Sequence, residues 1–275
     1  MERKIIFLDI DGTIADPGGM APIPSALEAM VRARAKGHKV VLCSGRGYDA
    51  LRPMLDFDYD AVVANAGAHI TCGGEVLVDF SLPLETLARM RELLDQAGIL
   101  YSVMCREGSF HTPGYRDLIL KSARQGSNSE LSRWVRFFEE REEVTLAEYR
   151  GQSAQKIIFL APSPERIEGS AAALANEFEC CIMGTDQFGT TNGELIHRAH
   201  NKGAAVRVLC EHWGLPLSAS IAFGDSMNDA SMLTAAGLGV CMGNGSHELK
   251  ALADEVCLPY DQAGVLRALE AHGLI

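Results

Sequence analysis

A chain of 275 residues, 47% hydrophobic and 22% charged, carries enough apolar material for a large core domain plus a smaller second one, and it lacks the low-complexity runs of disordered or fibrous chains. A formal charge of −11 opposes nonspecific binding to nucleic acid, so an anionic small ligand needs a locally positive pocket. The opening Met1-Glu2-Arg3-Lys4 reaches Asp9 and Asp11 after four apolar residues, too short and too acidic for a signal core or membrane span, so the expected home is the cytoplasm, with no membrane partner.

In chain order, Lys4–Leu8 reads as a short buried strand. Ser25-Ala26-Leu27-Glu28 has the pattern of a capping box opening a helix, with Leu27, Met30 and Val31 inward and a stop at Gly37. Lys39–Cys43 completes a β-α-β unit, and Ala61–Ala64 adds another strand. The pattern then changes. Helices are predicted at Leu84–Ala97, Ser129–Glu140 and Pro164–Phe178, and strands at Tyr101–Met104, Lys156–Ala161 and Glu179–Met183. Residues 83–189 are therefore expected to form an inserted α+β cap domain, and residues 1–82 with 190–275 the core. A helix over Lys202–Trp213 and strands at Ser220–Phe223 and Leu238–Met242 resume the earlier alternation. The predicted fold class is α/β, a doubly wound Rossmann-like parallel sheet with right-handed crossovers and an inserted α+β domain. Eight scattered cysteines without a C-x-x-C pair are expected to be reduced and mostly buried.

In Asp9-Ile10-Asp11-Gly12-Thr13, two acids stand two residues apart directly after a strand, at the end where open α/β sheets bind ligands. Extended backbone points them to one side, and Gly12 permits a turn whose amides face a phosphoryl oxygen, although turn chemistry alone also selects Asp and Gly. Ser44-Gly45-Arg46 follows the second strand with a hydroxyl and backbone donors. Gly224-Asp225-Ser226-Met227-Asn228-Asp229 follows another with two carboxylates suited to an oxygen-ligated Mg²⁺; Asp225 alone equally fits a helix N-cap. Lys202 opens a helix and alone reads as a solvated charge. Together the four segments put acids, a hydroxyl, a cation and turn amides on one sheet edge. No P-loop Gly-Lys, H-E-x-x-H or G-x-S-x-G motif offers a different chemistry.

Those four segments resemble, in order, the motifs of the haloacid dehalogenase (HAD) superfamily of aspartate-nucleophile phosphatases, in the Cof-type branch with a type IIB cap: D-x-D-G-T at Asp9–Thr13, Ser-Gly-Arg at Ser44–Arg46, Lys202, and G-D-x-x-N-D at Gly224–Asp229. Met242-Gly243-Asn244 resembles the family's M-G-N stretch, and Asn65-Ala66-Gly67-Ala68 its N-G-A turn with one extra residue. The resemblance implies that Asp9 attacks phosphorus while Asp11 protonates the departing alkoxide and later deprotonates water. It implies Mg²⁺ held by Asp9, the Asp11 backbone carbonyl and Asp225, with Lys202 neutralising charge. Ser44, Gly45, Asn228 and Lys202, with loop groups of Ile10 and Thr13, are the expected phosphate binders, and Arg46 and Asp229 their support. Small phosphomonoesters are the implied partners, sugar phosphates ahead of nucleotides and pyridoxal phosphate. A sugar phosphomutase and a catalytically silent phosphate-binding module remain alternatives with the same motifs. His111, with Tyr115 and Arg116, is the candidate for substrate recognition, against a default reading of His111 as a structural residue; Trp134, Phe137 and Phe138 read as helix core. No heptad seam sets an oligomeric state.

Overall fold

A computed structural model describes residues 2–106, 108–123, 129–140 and 143–275. The chain divides into two compact units, one built from the stretch ending at Arg46, Ala50–Asp79 and His200–Ile275, the other from Gly47–Asp49 and Phe80–Ala199.

In the first unit, β1 (Ile5–Leu8), β2 (Lys39–Cys43) and β3 (Ala61–Ala64) run parallel, and an antiparallel hairpin of β4 (His69–Cys72) and β5 (Glu75–Asp79) extends that edge. On the other side of β1 lie β11 (Ser220–Gly224), β12 (Leu238–Cys241) and β13 (Glu255–Val256), also parallel, in the order β13-β12-β11-β1-β2-β3-β4-β5. The inner strands are near-continuous apolar runs because both faces are buried. On one face, Ile5, Phe7, Val41 and Ala222 pack with Val206 and Leu209 of α6 (Lys202–His212) and with Met232 and Leu233 of α7 (Ala230–Ala235). From β1 the connection to β2 runs to one side while β11 pairs on the other. The carboxyl end of β1 is thus a topological switch point, where such sheets open a crevice for ligands.

The first helix, α1 (Pro24–Ala35), starts at a proline with Ile23 as its N-cap and no side-chain cap, not at the expected Ser25 box. Its inward face is Ala26, Ala29, Met30 and Ala33. Leu27 and Val31, expected inward, are 41% and 53% exposed. It packs beside α9 (Gly264–Ala271).

The second unit is a five-stranded antiparallel sheet in the order β7-β6-β8-β10-β9, formed by β6 (Leu100–Cys105), β7 (Gly108–His111), β8 (Ala154–Ala161), β9 (Phe178–Thr185) and β10 (Thr191–His197). Alternation along the strands separates two cores. Tyr101, Val103, Ile157 and Phe159 pack with Leu87, Met90 and Leu94 of α2 (Leu84–Gln96) and Ile167 and Leu174 of α5 (Pro164–Leu174). Met104, Ile158 and Leu160, on the opposite face, pack with Tyr115 and Ile119 of α3 (Tyr115–Ala123) and Trp134 and Phe138 of α4 (Ser129–Glu140). This unit extends past the expected return at 189, because Thr191–His197 pairs with β8 and β9. Gly193 is locked inside β10, where a Cβ would stand 2.4 Å from the Cys181 carbonyl oxygen.

All eight cysteines are free thiols, and Cys43, Cys105, Cys181, Cys210 and Cys241 are buried. Among the described residues no helix is long and apolar enough to cross a membrane.

Candidate active site

Asp9 leaves the end of β1 with its backbone N–H still bonded to the Phe223 carbonyl of β11, at 3.1 Å, so the acid is fixed by the sheet rather than by a free loop. Its carboxylate Oδ1 accepts from Lys202 Nζ at 2.7 Å, and the same ammonium donates to Asp229 Oδ1 at 2.5 Å. Lys202 is wholly buried at the first position of α6. Asp229 Oδ2 in turn accepts the backbone N–H groups of Asp225 and Ser226, at 3.0 and 3.2 Å. One carboxylate thereby orients both the lysine and the loop after β11. Carboxylate oxygens of Asp9, Asp225 and Asp229 lie within 4.8 Å of one another.

Gly12 has φ +75°, and a Cβ there would stand 2.4 Å from Asp225 Oδ2, so a side chain at this position would strain the backbone and displace the Asp225 carboxylate. Asn244 Nδ2 donates to the Gly12 carbonyl at 2.8 Å, tying the loop after β12 to the first acid loop. Sequence reasoning noted Asn244 within a motif but assigned it nothing; only the fold reveals its partner.

Burial pushes the Asp9 carboxyl up to about 8, reinforced by Asp229 and Asp11 and opposed by Lys202. Burial alone would lower the Lys202 ammonium, but Asp229 and then Asp9 outweigh it and hold the group well above its ordinary value. Around the site, four buried acids, Asp9, Asp11, Asp225 and Asp229, face two buried cations, Lys202 and Arg46. This excess of negative charge and the all-oxygen donor set fit a hard divalent cation.

Asp11 is placed differently from Asp9. Arg46 grips it in a bidentate pair, Nε to Oδ2 at 2.9 Å and Nη2 to Oδ1 at 2.7 Å, while the Gly18 N–H donates to Oδ1 at 2.6 Å. Arg46 Nη1 is anchored on the Gly19 carbonyl at 3.0 Å. The Asp11 carboxylate is not among the clustered acids, in keeping with the expectation that Asp11 would offer a metal its backbone carbonyl. Ser44 is buried and its Oγ accepts the Arg46 N–H at 3.1 Å; Gly45 is buried between them. Thr13 Oγ1 is buried with no hydrogen-bond partner among the described residues, leaving a hydroxyl for a ligand oxygen. The Ile10 side chain is in the core, and its carbonyl accepts the N–H groups of Thr13, Ile14 and Ala15. Asn228 is buried beside Ser226, whose Oγ donates to its Oδ1 at 3.0 Å.

Of the candidate recognition residues of the second unit, His111 and Tyr115 are packed inside it and Arg116 is half-buried. His111 stacks on Tyr115 with ring centroids 5.2 Å apart and meets Phe138 at 5.0 Å, and both His111 and Tyr115 are buried. Burial pushes the His111 imidazole down to about 4. Arg116 Nη2 donates to the Phe138 carbonyl at 3.2 Å, bracing α3 on α4. His111 and Tyr115 join Trp134 and Phe138 in an aromatic core, the default structural reading of His111, because β7 turns His111 toward the same sheet face as Ser102, its register partner.

A phosphatase-like sheet edge of this kind agrees with what known proteins show. The profile of the haloacid dehalogenase-like hydrolases matches residues 6–269. Pyridoxal phosphate phosphatase YbhA of Escherichia coli strain K12 is 28% identical over 267 residues, 93% of each chain. Phosphatase YwpJ of Bacillus subtilis strain 168 is 25% identical, over 97% of this chain and 99% of its own. The solved structure of a HAD subclass IIB sugar phosphatase aligns with a TM-score of 0.80 at 22% identity, over 99% of this chain and 100% of that one, which establishes the common fold. The chain belongs to the haloacid dehalogenase-like hydrolase family, as a phosphatase of the Cof type.

Proposed function

We propose that this phosphatase is Mg²⁺-dependent, hydrolyses small phosphomonoesters, sugar phosphates foremost, and works through an aspartyl-phosphate on Asp9. The observation that carries the reading is Asp9 itself: a buried carboxylate at the switch point of the sheet, held at 2.7 Å by Lys202 and gathered with Asp225 and Asp229. The carboxylates of Asp9 and Asp225 and the Asp11 carbonyl would hold Mg²⁺, which when bound neutralises charge on the transferring phosphoryl group.

The remaining chemistry belongs to the chain. An Asp9 oxygen attacks phosphorus in line, the phosphorus–oxygen ester bond breaks, and the departing alkoxide takes a proton from Asp11. Asp11 then takes a proton from the water that cleaves the acyl-phosphate, releasing inorganic phosphate and restoring Asp9. Arg46 orients the Asp11 carboxyl by bonding both of its oxygens, which leaves lone-pair capacity on Oδ2 for the proton that is exchanged. Lys202 holds Asp9 in line and offsets phosphoryl charge. Ser44, Gly45, Asn228, Thr13 and the Ile10 loop bind the nonbridging oxygens, with Arg46 and Asp229 fixing their neighbours.

The test is a panel of sugar phosphates, nucleotides and pyridoxal phosphate, the last included because a relative carries that activity in its name, assayed with Mg²⁺ and with EDTA. Release of inorganic phosphate that requires Mg²⁺ supports the reading. An isomerised sugar phosphate in place of phosphate would make the protein a mutase, and inertness toward the whole panel would leave a silent binding module.

A further inference from the structure

Directly after β3, Asn65, Ala66 and Gly67 take left-handed backbone in succession, with φ of 45°, 58° and 112°. Two of them carry side chains, and both are fully buried. Left-handed conformation at such residues persists only where the surroundings over-determine it.

The surroundings here are two parts of the phosphoryl site. The Asn65 N–H donates to the Arg46 carbonyl at 2.8 Å, and the Ala66 N–H to the Ser44 carbonyl at 2.9 Å, clasping the loop after β2 from behind. On its other side, the turn lies against the chain entering α6: a Cβ on Gly67 would stand 2.4 Å from the Asn201 carbonyl oxygen and 3.0 Å from that of His200. Asn201 caps α6, its Oδ1 accepting the Ala204 N–H at 2.8 Å, and the next residue is Lys202. A link between β3 and β4 needs a tight turn, but it does not by itself require bonds to Ser44 and Arg46 or van der Waals contact with Asn201.

We infer that the Asn65–Gly67 turn is a positioning element of the phosphoryl site, setting the spacing between Ser44 and Lys202 through its backbone contacts. The inference rests on the phosphatase reading above. The printed contacts of Asn65, Ala66 and Gly67 reach the site through the backbone of Ser44, Arg46 and Asn201. A Cβ at Gly67 forces the turn and the start of α6 apart, and a misplacement of about 1 Å at a reacting centre can cost on the order of 10²-fold in rate.

The experiment compares Gly67→Ala with Gly73→Ala. Gly73, in the β4–β5 turn, is also left-handed at φ +56° but has nothing within 4 Å of its would-be Cβ, so it reports backbone strain without the clash. For Gly67→Ala the competitive inhibition constants of inorganic phosphate and orthovanadate should rise about tenfold, and kcat should fall by at least a similar factor on every ester. For Gly73→Ala both should stay within about twofold of wild type, as for a surface change with no partner displaced. Partial unfolding lowers the active fraction without moving an inhibition constant, so a wild-type constant in an active Gly67→Ala protein overturns the inference and leaves the phosphatase reading standing. A wild-type chain that neither hydrolyses nor binds phosphate overturns both. Should Gly67→Ala fail to fold, hydrogen exchange on the wild type decides: orthovanadate with Mg²⁺ should slow exchange in a peptide covering residues 62–68, and unchanged exchange there refutes the role.

Discussion

Asp9→Asn should stabilise the metal-free protein while abolishing turnover. The Asp9 carboxyl sits at about 8 in the folded chain against an ordinary 3.8. Between those two values the unfolded chain has released the proton and the folded chain retains it, so the native state binds more protons and its stability falls as pH rises. The slope is about 1.4 kcal/mol per pH unit, which accumulates to something on the order of 4 kcal/mol by pH 7 and under about 2 kcal/mol at pH 5. Asparagine removes the titration. At roughly 2–4 °C per kcal/mol for a chain of this size, the variant should melt on the order of 10 °C above wild type at pH 7 in EDTA, with a smaller gap at pH 5. Adding Mg²⁺ should narrow the gap from the wild-type side, by about 2.7 kcal/mol when the ion is a hundredfold above its Kd. Thermal melts of both proteins across pH 5–8, with EDTA and with Mg²⁺, measure all of this. An Asp9→Asn protein that melts at or below wild type in EDTA at every pH would refute the picture of a buried carboxyl group whose ionisation opposes folding.

Lys202→Ala should lower kcat/KM on the order of 10²-fold or more, about 2.7 kcal/mol of lost charge stabilisation; a change under threefold would place the lysine outside the chemistry. Asp225→Ala should raise the Mg²⁺ requirement sharply or remove activity, and full wild-type activity in EDTA would contradict the metal assignment. Tyr115→Ala should cost about 3–5 kcal/mol of stability, as for other large aromatics removed from a core, without reordering a substrate panel; reordering at an unchanged melting temperature would return Tyr115 to substrate recognition.

The parallel core was legible because strands buried on both faces read as unbroken apolar runs, as in Ile5–Leu8 and Val40-Val41-Leu42-Cys43. Strand β10 was not, because Thr191-Asn192-Gly193-Glu194 is polar in sequence yet buried in place. Its Glu194 pairs with Lys156 Nζ at 2.6 Å, an ion pair that no hydropathy window can anticipate. The β4–β5 hairpin was missed for the opposite reason, its outer strand being largely solvated, with Val76 53% exposed. In the site, each motif is contiguous and could be read locally. The pairings are not: Arg46 with Asp11, Asp229 with Lys202 and Asn244 with Gly12 join residues far apart in the chain. Beside Thr112-Pro113-Gly114, His111 could be read either as a structural residue or as part of a recognition loop, and its place in a strand with its side chain facing an aromatic core favours the first.

The most direct test of the account is to quench the wild-type enzyme within a single turnover of p-nitrophenyl phosphate and map the phosphoryl group by mass spectrometry. The account predicts transient phosphoryl on the peptide that contains Asp9, appearing no later than p-nitrophenolate release and decaying as inorganic phosphate forms. Hydrolysis that proceeds with no phosphoryl-protein at any time point, or with the label on another residue, would contradict it.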